Sequence, residues 1–257
     1  MAVSGVTTLV ALGASNLTRG LATVVNMARR AWGEPLDVLT ALGHGRSYGM
    51  RSRVLFRGLP SILECGLWDQ LYAAPRDRVQ ALVTDIGTDG LYGAPPDTIL
   101  SWIRECVTRL HGLGAEITIT DLPLQRIRLL TKMGYLLARS VLFPSCRLDL
   151  AEALRRCEAL DAGILDMAQA ANVRVVRLRP EWYGLDPIHI RRRYWRHVWQ
   201  EIAIGHAPAL PKPARRSDIG ALRLHLAAPQ QRWLFGRERV TAQPAMQTAA
   251  GTRVWLY

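Results

Sequence analysis

The sequence predicts an α/β protein in which a parallel sheet of five strands lies between two layers of helices. Short, almost wholly apolar segments alternate along the chain with longer amphipathic ones. Strands that are apolar on both faces are typical of parallel sheets covered by helices on both sides. Hydrophobic residues make up 49% of the 257 residues, which is enough for a sizeable core. Together these observations favour a doubly wound, three-layer α/β/α domain.

Each element follows from local composition. The predicted strands are, in order, Thr7–Leu12, Leu36–Leu42, Val79–Asp85, Ala115–Thr120 and Val173–Leu178. A helix is predicted from Pro96 to Gly112, because its first residues suit a helix start and its apolar residues share one face. A second helix is predicted from about Asp149 to Ala171, and a third directly after His189.

The chain is predicted to divide at about residue 205. Residues 1–205 contain the alternating strands and helices and are expected to form one domain. Residues 206–257 begin with a proline-containing stretch, 207–216, which is typical of a surface strap. The short apolar runs that follow are too few for a separate core, so we expect a small β-like appendage packed on the main domain.

Charge and cysteine usage exclude several classes of function. The formal net charge is +12, but the basic residues are almost all arginines scattered through predicted helices, so we expect no nucleic-acid partner. The four cysteines form no Cys-x-x-Cys pair, and we expect neither a metal nor a cofactor. No apolar run reaches the roughly 18 residues that span a bilayer. No basic residue precedes Arg19, so a signal peptide is not predicted, and we expect a cytoplasmic protein without membrane attachment.

The first candidate functional residue is Ser15. It follows the first predicted strand, in the sequence Gly13-Ala14-Ser15-Asn16, and opens a helix. In a sheet of this kind ligands bind beyond the carboxyl ends of the strands, and a helix N-terminus stabilises negative charge. A nucleophilic serine suits this place, but a serine that only caps the helix would also suit it.

The second candidate is the pair Asp186 and His189, which lie three residues apart on a short loop before a helix. At this spacing Asp186 can hold the His189 ring in one tautomer and stabilise its protonated form. The alternative is an aspartate that caps the helix, next to a histidine that only packs. Attack by serine on an acyl carbon needs a base and a group that orients the base, so Ser15, His189 and Asp186 together form a complete set.

A glycine-rich loop, Gly43 to Gly49, follows the second predicted strand. It contains a Gly-x-Ser-x-Gly pattern around Ser47, which holds the nucleophile in α/β-hydrolases. That fold places the pattern after more strands than the two found here, so we expect Ser47 not to be the nucleophile. We expect the loop to present a backbone N–H to an oxyanion instead. A polar turn, 84–93, follows the third strand and is the natural place for another donor.

These motifs resemble those of the SGNH, or GDSL-type, hydrolase superfamily, both in their order and in the strand that each one follows. The resemblance covers about residues 5 to 205 and implies a flavodoxin-like fold. It implies that Ser15 is the nucleophile and that Asp186 and His189 complete a catalytic triad. It places oxyanion donors at Ser15, at Gly45 (with Gly43 as the alternative) and in the turn that contains Thr88.

Two positions depart from the family pattern. The aspartate of the Gly-Asp-Ser motif is Ala14 here, and the oxyanion asparagine is absent. Thr88 or Asp89 must take its place, and Thr88 is preferred because Asp89 then matches the family's following aspartate. A threonine hydroxyl reaches less far than a carboxamide, and loss of one oxyanion donor typically costs about 10²- to 10³-fold in rate. Weak hydrolysis, an unusual acyl acceptor and a degenerate enzyme all stay open.

The sequence therefore predicts a serine hydrolase that cleaves an ester or related acyl bond of a small molecule through an acyl-enzyme, with acyl transfer as a variant. The residues expected to contact the substrate are Asp89, Trp182, Tyr183, Arg192 and Arg193, and the arginines favour an anionic substrate. The alternative is a non-catalytic α/β protein that binds an anionic ligand or nucleic acid through the same arginine cluster. The oligomeric state is not predicted.

Overall fold

The computed structural model describes residues 5–142, 146–204 and 219–257. In chain order the strands are β1 (Thr7–Leu12), β2 (Leu36–Ala41), β3 (Ser52–Val54), β4 (Arg57–Leu59), β5 (Arg78–Val83), β6 (Glu116–Thr120), β7 (Arg174–Val176), β8 (Gln231–Leu234), β9 (Arg237–Val240), β10 (Met246–Gln247) and β11 (Thr252–Leu256). The helices are α1 (Ser15–Trp32), α2 (Leu67–Tyr72), α3 (Thr88–Leu91), α4 (Pro96–His111), α5 (Leu124–Arg128), α6 (Lys132–Leu142), α7 (Leu150–Ala170), α8 (Trp195–Ile204) and α9 (Ala221–Leu226).

The centre of the molecule is a mainly parallel sheet with helices on both faces, which confirms the predicted three-layer fold. Within the described residues this sheet has seven strands in the order β10-β11-β2-β1-β5-β6-β7. The five predicted strands are β1, β2, β5, β6 and β7. The prediction of five strands was too low because the C-terminal β11 pairs in parallel with β2, and β10 pairs antiparallel with β11. The edge of β2 is therefore covered by chain from the far end of the sequence, which protects its backbone groups.

Two other strands of the C-terminal segment, β8 and β9, belong to a second sheet. In the part of the chain that the structure describes, β8 and β9 extend the β3–β4 hairpin to give the order β3-β4-β8-β9. The proline-containing stretch 207–216, predicted as a strap, lies outside the described residues. The division of the chain at residue 205 stays a prediction.

The two helical layers pack on opposite faces of the central sheet. The apolar side chains of α1 and α8 share one core with one face of the sheet, and those of α4 and α7 share the other core. Gly20 on α1 allows the first pair to approach, since a Cβ there would lie 2.0 Å from Nε1 of Trp199 on α8. None of the described helices is both long enough and apolar enough to cross a membrane.

The register of the central strands determines where a site can form. β1 is buried along its whole length and lies between β2 and β5. Its last residue, Leu12, pairs with Ala41 on one side and with Val83 on the other, so the three strands end at the same level. The loops after β1, β2 and β5 therefore meet at one edge of the sheet, which is where doubly wound folds bind ligands.

Candidate active site

Ser15, His189 and Asp186 are joined by two hydrogen bonds. Ser15 is the first residue of α1, and its Oγ lies 2.9 Å from Nε2 of His189. Nδ1 of the same ring lies 2.6 Å from Oδ2 of Asp186. With the Nδ1 proton donated to the carboxylate, Nε2 is left as an acceptor for the Ser15 hydroxyl. The sequence-predicted residues are thus brought together, across a sequence separation of 174 residues, in the order that a serine nucleophile requires.

The Asp186 carboxylate is held in its ionised form. Burial pushes its pKa upward, but the hydrogen bond and charge of His189, together with the backbone N–H groups of Ile188 and His189, outweigh burial and lower the pKa. Those two N–H groups lie 3.1 and 3.2 Å from Oδ1. The aspartate therefore fixes the loop and orients the ring at the same time, and it stays negative where a protonated His189 needs it.

Asn16, the residue after the serine, fixes the backbone on both sides of His189. Its Nδ2 donates to the carbonyl oxygen of Ile188, and its Oδ1 accepts from the N–H of Ile190, both at 2.8 Å. The same Nδ2 donates to Oδ1 of Asp85, again at 2.8 Å. Because one carboxamide forms hydrogen bonds with the residues before and after His189, it fixes the position of His189 relative to α1, which carries Ser15.

Asp85 in turn holds Asn16 and the start of α1. Its Oδ2 accepts from the backbone N–H groups of Ala14, at 2.8 Å, and Leu17, at 3.1 Å. Its φ of 60° lies in the left-handed region, which aspartate tolerates better than most residues. Ala14 cannot cap the helix with its own side chain, and the carboxylate that performs this task comes from the end of β5. The Ser15 N–H has no partner among the described residues, so it can donate to a ligand.

The glycine-rich loop after β2 is shaped by close contacts. Gly45 has a φ of 65°, and a Cβ there would lie 2.3 Å from the hydroxyl oxygen of Tyr92 and 2.7 Å from a methyl of Val54. Its carbonyl accepts from the Tyr92 hydroxyl at 2.8 Å. Both its backbone conformation and its surroundings therefore require glycine. Neither Gly45 nor Gly43 lines the cavity at Ser15, so the oxyanion role of this loop stays a prediction.

Thr88 lies beside Ser15, but its hydroxyl is used elsewhere. The two residues line the same cavity. The Thr88 hydroxyl lies 3.2 Å from the carbonyl oxygen of Asp85 and donates to it. A hydroxyl has one proton, so in this arrangement Thr88 does not donate it to an oxyanion. This differs from the predicted role of the Thr88 side chain.

Asp89 supports the glycine-rich loop and does not face a ligand. It is fully buried, and its Oδ2 accepts from the N–H of Tyr48 at 3.0 Å. Burial raises its pKa to about 6, opposed by hydrogen bonds from Ser47 and Tyr48. The Asp89 carboxylate is therefore used inside the protein, by the loop packed over the end of β5, and this arrangement does not support the predicted contact of Asp89 with substrate. Ser47 is fully buried as well and accepts from the N–H of Met50, so it is not accessible to a substrate.

Trp182 and Tyr183, the two aromatic residues predicted to contact substrate, have different surroundings. Tyr183 is buried and lines the cavity at Ser15, and burial raises the pKa of its phenol far above the usual range. Trp182 is buried too but does not line that cavity. Its carbonyl accepts from the N–H of Arg191 at 2.9 Å, and His197 packs edge-on against its ring. Trp182 thus joins the two ends of the loop that carries Asp186 and His189. Of the two aromatic residues, only Tyr183 lines the cavity and can contact a substrate there.

Arg192 and Arg193, the two arginines predicted to contact substrate, lie in different places. Arg192 lines a shallow cleft beside His189 together with Arg19 and Arg191. Arg193 lies outside this cleft with its guanidinium 4.8 Å from the ring centre of Tyr194, so its predicted contact with substrate is not seen. Because residues 192–194 form one short helical turn, the exposed side chains of 191–196 point in different directions, and only some of them can face the site.

His44, the other histidine near the site, is not arranged as a base for Ser15. Burial, together with the positive charges of Arg19 and Arg57, lowers its pKa to about 4. It is therefore neutral at pH 7, and none of the described hydrogen bonds joins it to Ser15.

Metal ligation has no evident place in the described residues. In residues 5–142, 146–204 and 219–257, no three His, Cys, Asp or Glu side chains cluster as ligands of one ion. Cys157 is the one cysteine that lines the cavity at Ser15 in the part of the chain described, and burial raises its pKa to about 11, so it is a poor ligand and nucleophile.

Comparisons with known proteins give similarities at low identity. No protein-family model matches the sequence, and no curated protein matches it. The psychrotrophic esterase EstA from Pseudoalteromonas sp. is 11% identical over 76% of this chain and 92% of that chain, with a TM-score of 0.43. TesA is 14% identical over 76% and 95%, with a TM-score of 0.45. An acetyl xylan esterase, AlAXEase, is 12% identical over 75% and 96%, with a TM-score of 0.45.

Proposed function

We propose that the protein is a serine hydrolase of the SGNH type that cleaves an ester or related acyl bond. One observation carries the proposal. The hydroxyl of Ser15, both ring nitrogens of His189 and the carboxylate of Asp186 form one continuous chain of hydrogen bonds at the carboxyl edge of the sheet. Such a chain activates a serine that is otherwise a weak nucleophile.

The reaction follows from the direction of these bonds. Oγ of Ser15 attacks the acyl carbon while its proton passes to Nε2 of His189, and the carbonyl π electrons move to the oxygen. Asp186 stabilises the imidazolium that forms. The tetrahedral intermediate then collapses, the bond to the leaving group breaks, and the leaving group takes the proton from Nε2. Water, deprotonated by His189, attacks the acyl-enzyme and releases the acid and Ser15. An alcohol in place of water gives acyl transfer.

The oxyanion needs donors that are fixed before the reaction. The N–H of Ser15, at the N-terminus of α1, is the first donor proposed, since Asp85 accepts from the N–H groups of Ala14 and Leu17 but leaves that of Ser15 without a partner among the described residues. The N–H of Gly45 is the second. The reaction as written needs no metal and no cofactor.

A second candidate function is binding of an anionic ligand without catalysis. It is favoured by the three arginines of the cleft beside His189 and by the internal use of the Thr88 hydroxyl. The hydrogen-bonded serine, histidine and aspartate have no role in it.

Labelling with a fluorophosphonate separates the two candidates. We expect one adduct, mapped by mass spectrometry to Ser15, and none in the Ser15→Ala variant. Ser140→Ala, which removes an exposed hydroxyl on α6, is the matched control and should label like the parent. No labelling of the parent protein would favour the binding function, and an adduct on Ser47 would refute the assignment of the nucleophile.

A further inference from the structure

The cavity at Ser15 is largely apolar and extends away from the serine. Beyond Ser15 and Asn16 it runs beneath α5 and α6 towards the first half of α7. Six side chains that give it this character are Leu122, Ile127, Leu130, Tyr135, Ala138 and Cys157.

The charged groups that line this cavity are already bound to the protein, and the indole Nε1 of Trp199 is a buried donor in the lining without a partner among the described residues. Arg139 donates to the carbonyl oxygen of Leu148 at 2.9 Å. Asp121 accepts from the N–H of Leu178 at 2.7 Å and from the guanidinium of Arg177 at 3.2 Å. Apart from the Trp199 N–H, what the cavity offers to a ligand is mainly apolar surface, and an alkyl or aryl group that leaves water gains free energy there.

His189 opens on the other side. It does not line the apolar cavity but lines the shallow cleft with Arg19, Arg191 and Arg192. The leaving group takes its proton from Nε2 of His189, and because His189 borders this cleft, the cleft can receive the leaving group. The acyl group stays attached to Ser15 through the reaction and must occupy the other space, which is the apolar cavity.

The cleft on the leaving-group side carries positive charge. All three of its arginines are exposed, and among the described residues none of the three forms an ion pair. Asp186, the carboxylate that lines the cleft, is bound to His189. An anionic group in the cleft would therefore meet guanidinium groups that are not neutralised by neighbours, although solvent and salt screen the attraction.

We infer that the substrate joins an apolar acyl chain, held beneath α5 and α6, to a leaving group that carries a negative charge. The chemical class is a carboxylic ester or thioester whose alcohol or thiol bears a phosphate, sulfonate or carboxylate. This inference rests on the proposed function and specifies the substrate of the same site.

The acyl side is tested with acetyl and octanoyl esters of one neutral phenol. The parent protein should prefer octanoyl by at least about tenfold in kcat/KM, since each methylene that becomes buried contributes roughly a factor of three to four. Ala138→Phe fills the cavity and should remove most of this preference, so that the ratio of kcat/KM for octanoyl to acetyl falls towards one. Leu130→Trp is a second filling variant, in case the first does not fold. Ser140→Phe adds the same ring to the exposed face of the same helix and should keep the preference. Equal turnover of the two esters by the parent, or an unchanged ratio in both filling variants, would overturn the acyl assignment.

The leaving-group side is tested with octanoyl esters of a neutral phenol and of a sulfonated phenol of similar acidity. At low ionic strength the sulfonated ester should be preferred by about threefold to fivefold, and added salt should reduce this ratio. Arg192→Ala should reduce it as well, whereas Arg196→Ala, which removes the same charge outside the cleft, should not. A ratio that does not respond to salt or to Arg192→Ala would refute the anionic leaving group.

The same data separate this inference from the proposed function. Turnover that is lost in Ser15→Ala, but shows neither the chain-length nor the charge preference, refutes the inference and leaves the hydrolase. No turnover of any of these esters refutes both.

Discussion

The base side of the candidate site is held by two short side-chain hydrogen bonds, from Ser15 to His189 and from His189 to Asp186, and by the Asn16 carboxamide that grips the backbone around His189. The oxyanion side, formed by the loop 43–49 and the turn at Thr88, is built differently. Its polar side chains bind each other and the backbone: Thr88 donates to Asp85, and Asp89 accepts from Tyr48.

This difference indicates where the catalytic power of the site lies. In the proposed reaction, side chains that are already hydrogen-bonded activate the nucleophile, whereas backbone N–H groups alone stabilise the oxyanion. Because oxyanion donors usually provide the largest single contribution to acyl transfer, we expect turnover of activated esters to exceed that of unactivated ones by a wide margin. Four predictions test the comparison.

The largest effect is expected on the base side. His189→Ala should lower kcat/KM for an activated ester by at least about 10³-fold, and Asp186→Asn should be severe because it disturbs the tautomer. His44→Ala is the matched control and should keep most activity. Activity that is lost in His44→Ala and kept in His189→Ala would show that the base is wrongly assigned.

The next largest effect concerns Asn16, whose carboxamide binds the backbone on both sides of His189. Asn16→Ala should lower kcat by about 10²-fold with little change in KM, because a base displaced by a fraction of an ångström no longer meets the serine proton. Asn26→Ala is a close control. Asn26 lies on the same helix and binds the N–H and carbonyl of Ile219, at 2.9 and 3.1 Å, far from the site. Equal losses of activity in the two variants would mean that Asn16 acts only through stability, which thermal unfolding of both would report.

A smaller effect is expected on the oxyanion side. Since the Thr88 hydroxyl donates to Asp85, Thr88→Val should change the rate on an activated ester by less than about threefold. Thr88→Asn should raise the rate by about tenfold if its carboxamide reaches the oxyanion. A tenfold or greater loss in Thr88→Val would show that the hydroxyl turns towards the substrate during the reaction, as the sequence alone suggests.

The smallest effect concerns stability. Burial raises the pKa of Asp89 from 3.8 to about 6, so the folded state binds the proton more tightly than the unfolded state does. The stability that this provides is fully present below about pH 4 and is lost as pH rises through about 6. Asp89→Asn cannot ionise, so its stability relative to the parent should rise by about 2 kcal/mol between pH 4 and pH 7. Denaturant unfolding at both pH values measures it, and a difference that is independent of pH would contradict the shift.

Several features of the fold and site follow from local sequence. β1 can be identified because six consecutive residues suit burial on both faces, and α4 because its apolar residues recur on one face. Asp186 and His189 are only three residues apart, so the sequence spacing alone predicts that they pair. Ser15 is readable because it follows the first strand directly.

Other features could not be read in this way. Asn16 meets Asp85 across 69 residues and the backbone at Ile188 across 172, so nothing in its immediate sequence distinguishes it from an ordinary helix residue. The one sequence feature that could have pointed to Asn16 is its position next to Ser15, just after the central strand β1. Asp89 was predicted to contact substrate from its position in the motif, but its burial depends on how the loop 43–49 packs over it.

The sequence by itself determined the layered fold, the edge of the sheet at which a site forms and the three residues of the candidate triad. These depend on hydrophobic periodicity and on short spacings, which act within a few residues. The tertiary structure alone decided that β11 covers β2, that α5 and α6 enclose an apolar cavity beside Ser15, and that the Thr88 hydroxyl donates to Asp85. Each of these depends on which segments meet after the chain has packed, and a hydrogen bond or a cavity wall is specified by that meeting and not by either segment alone.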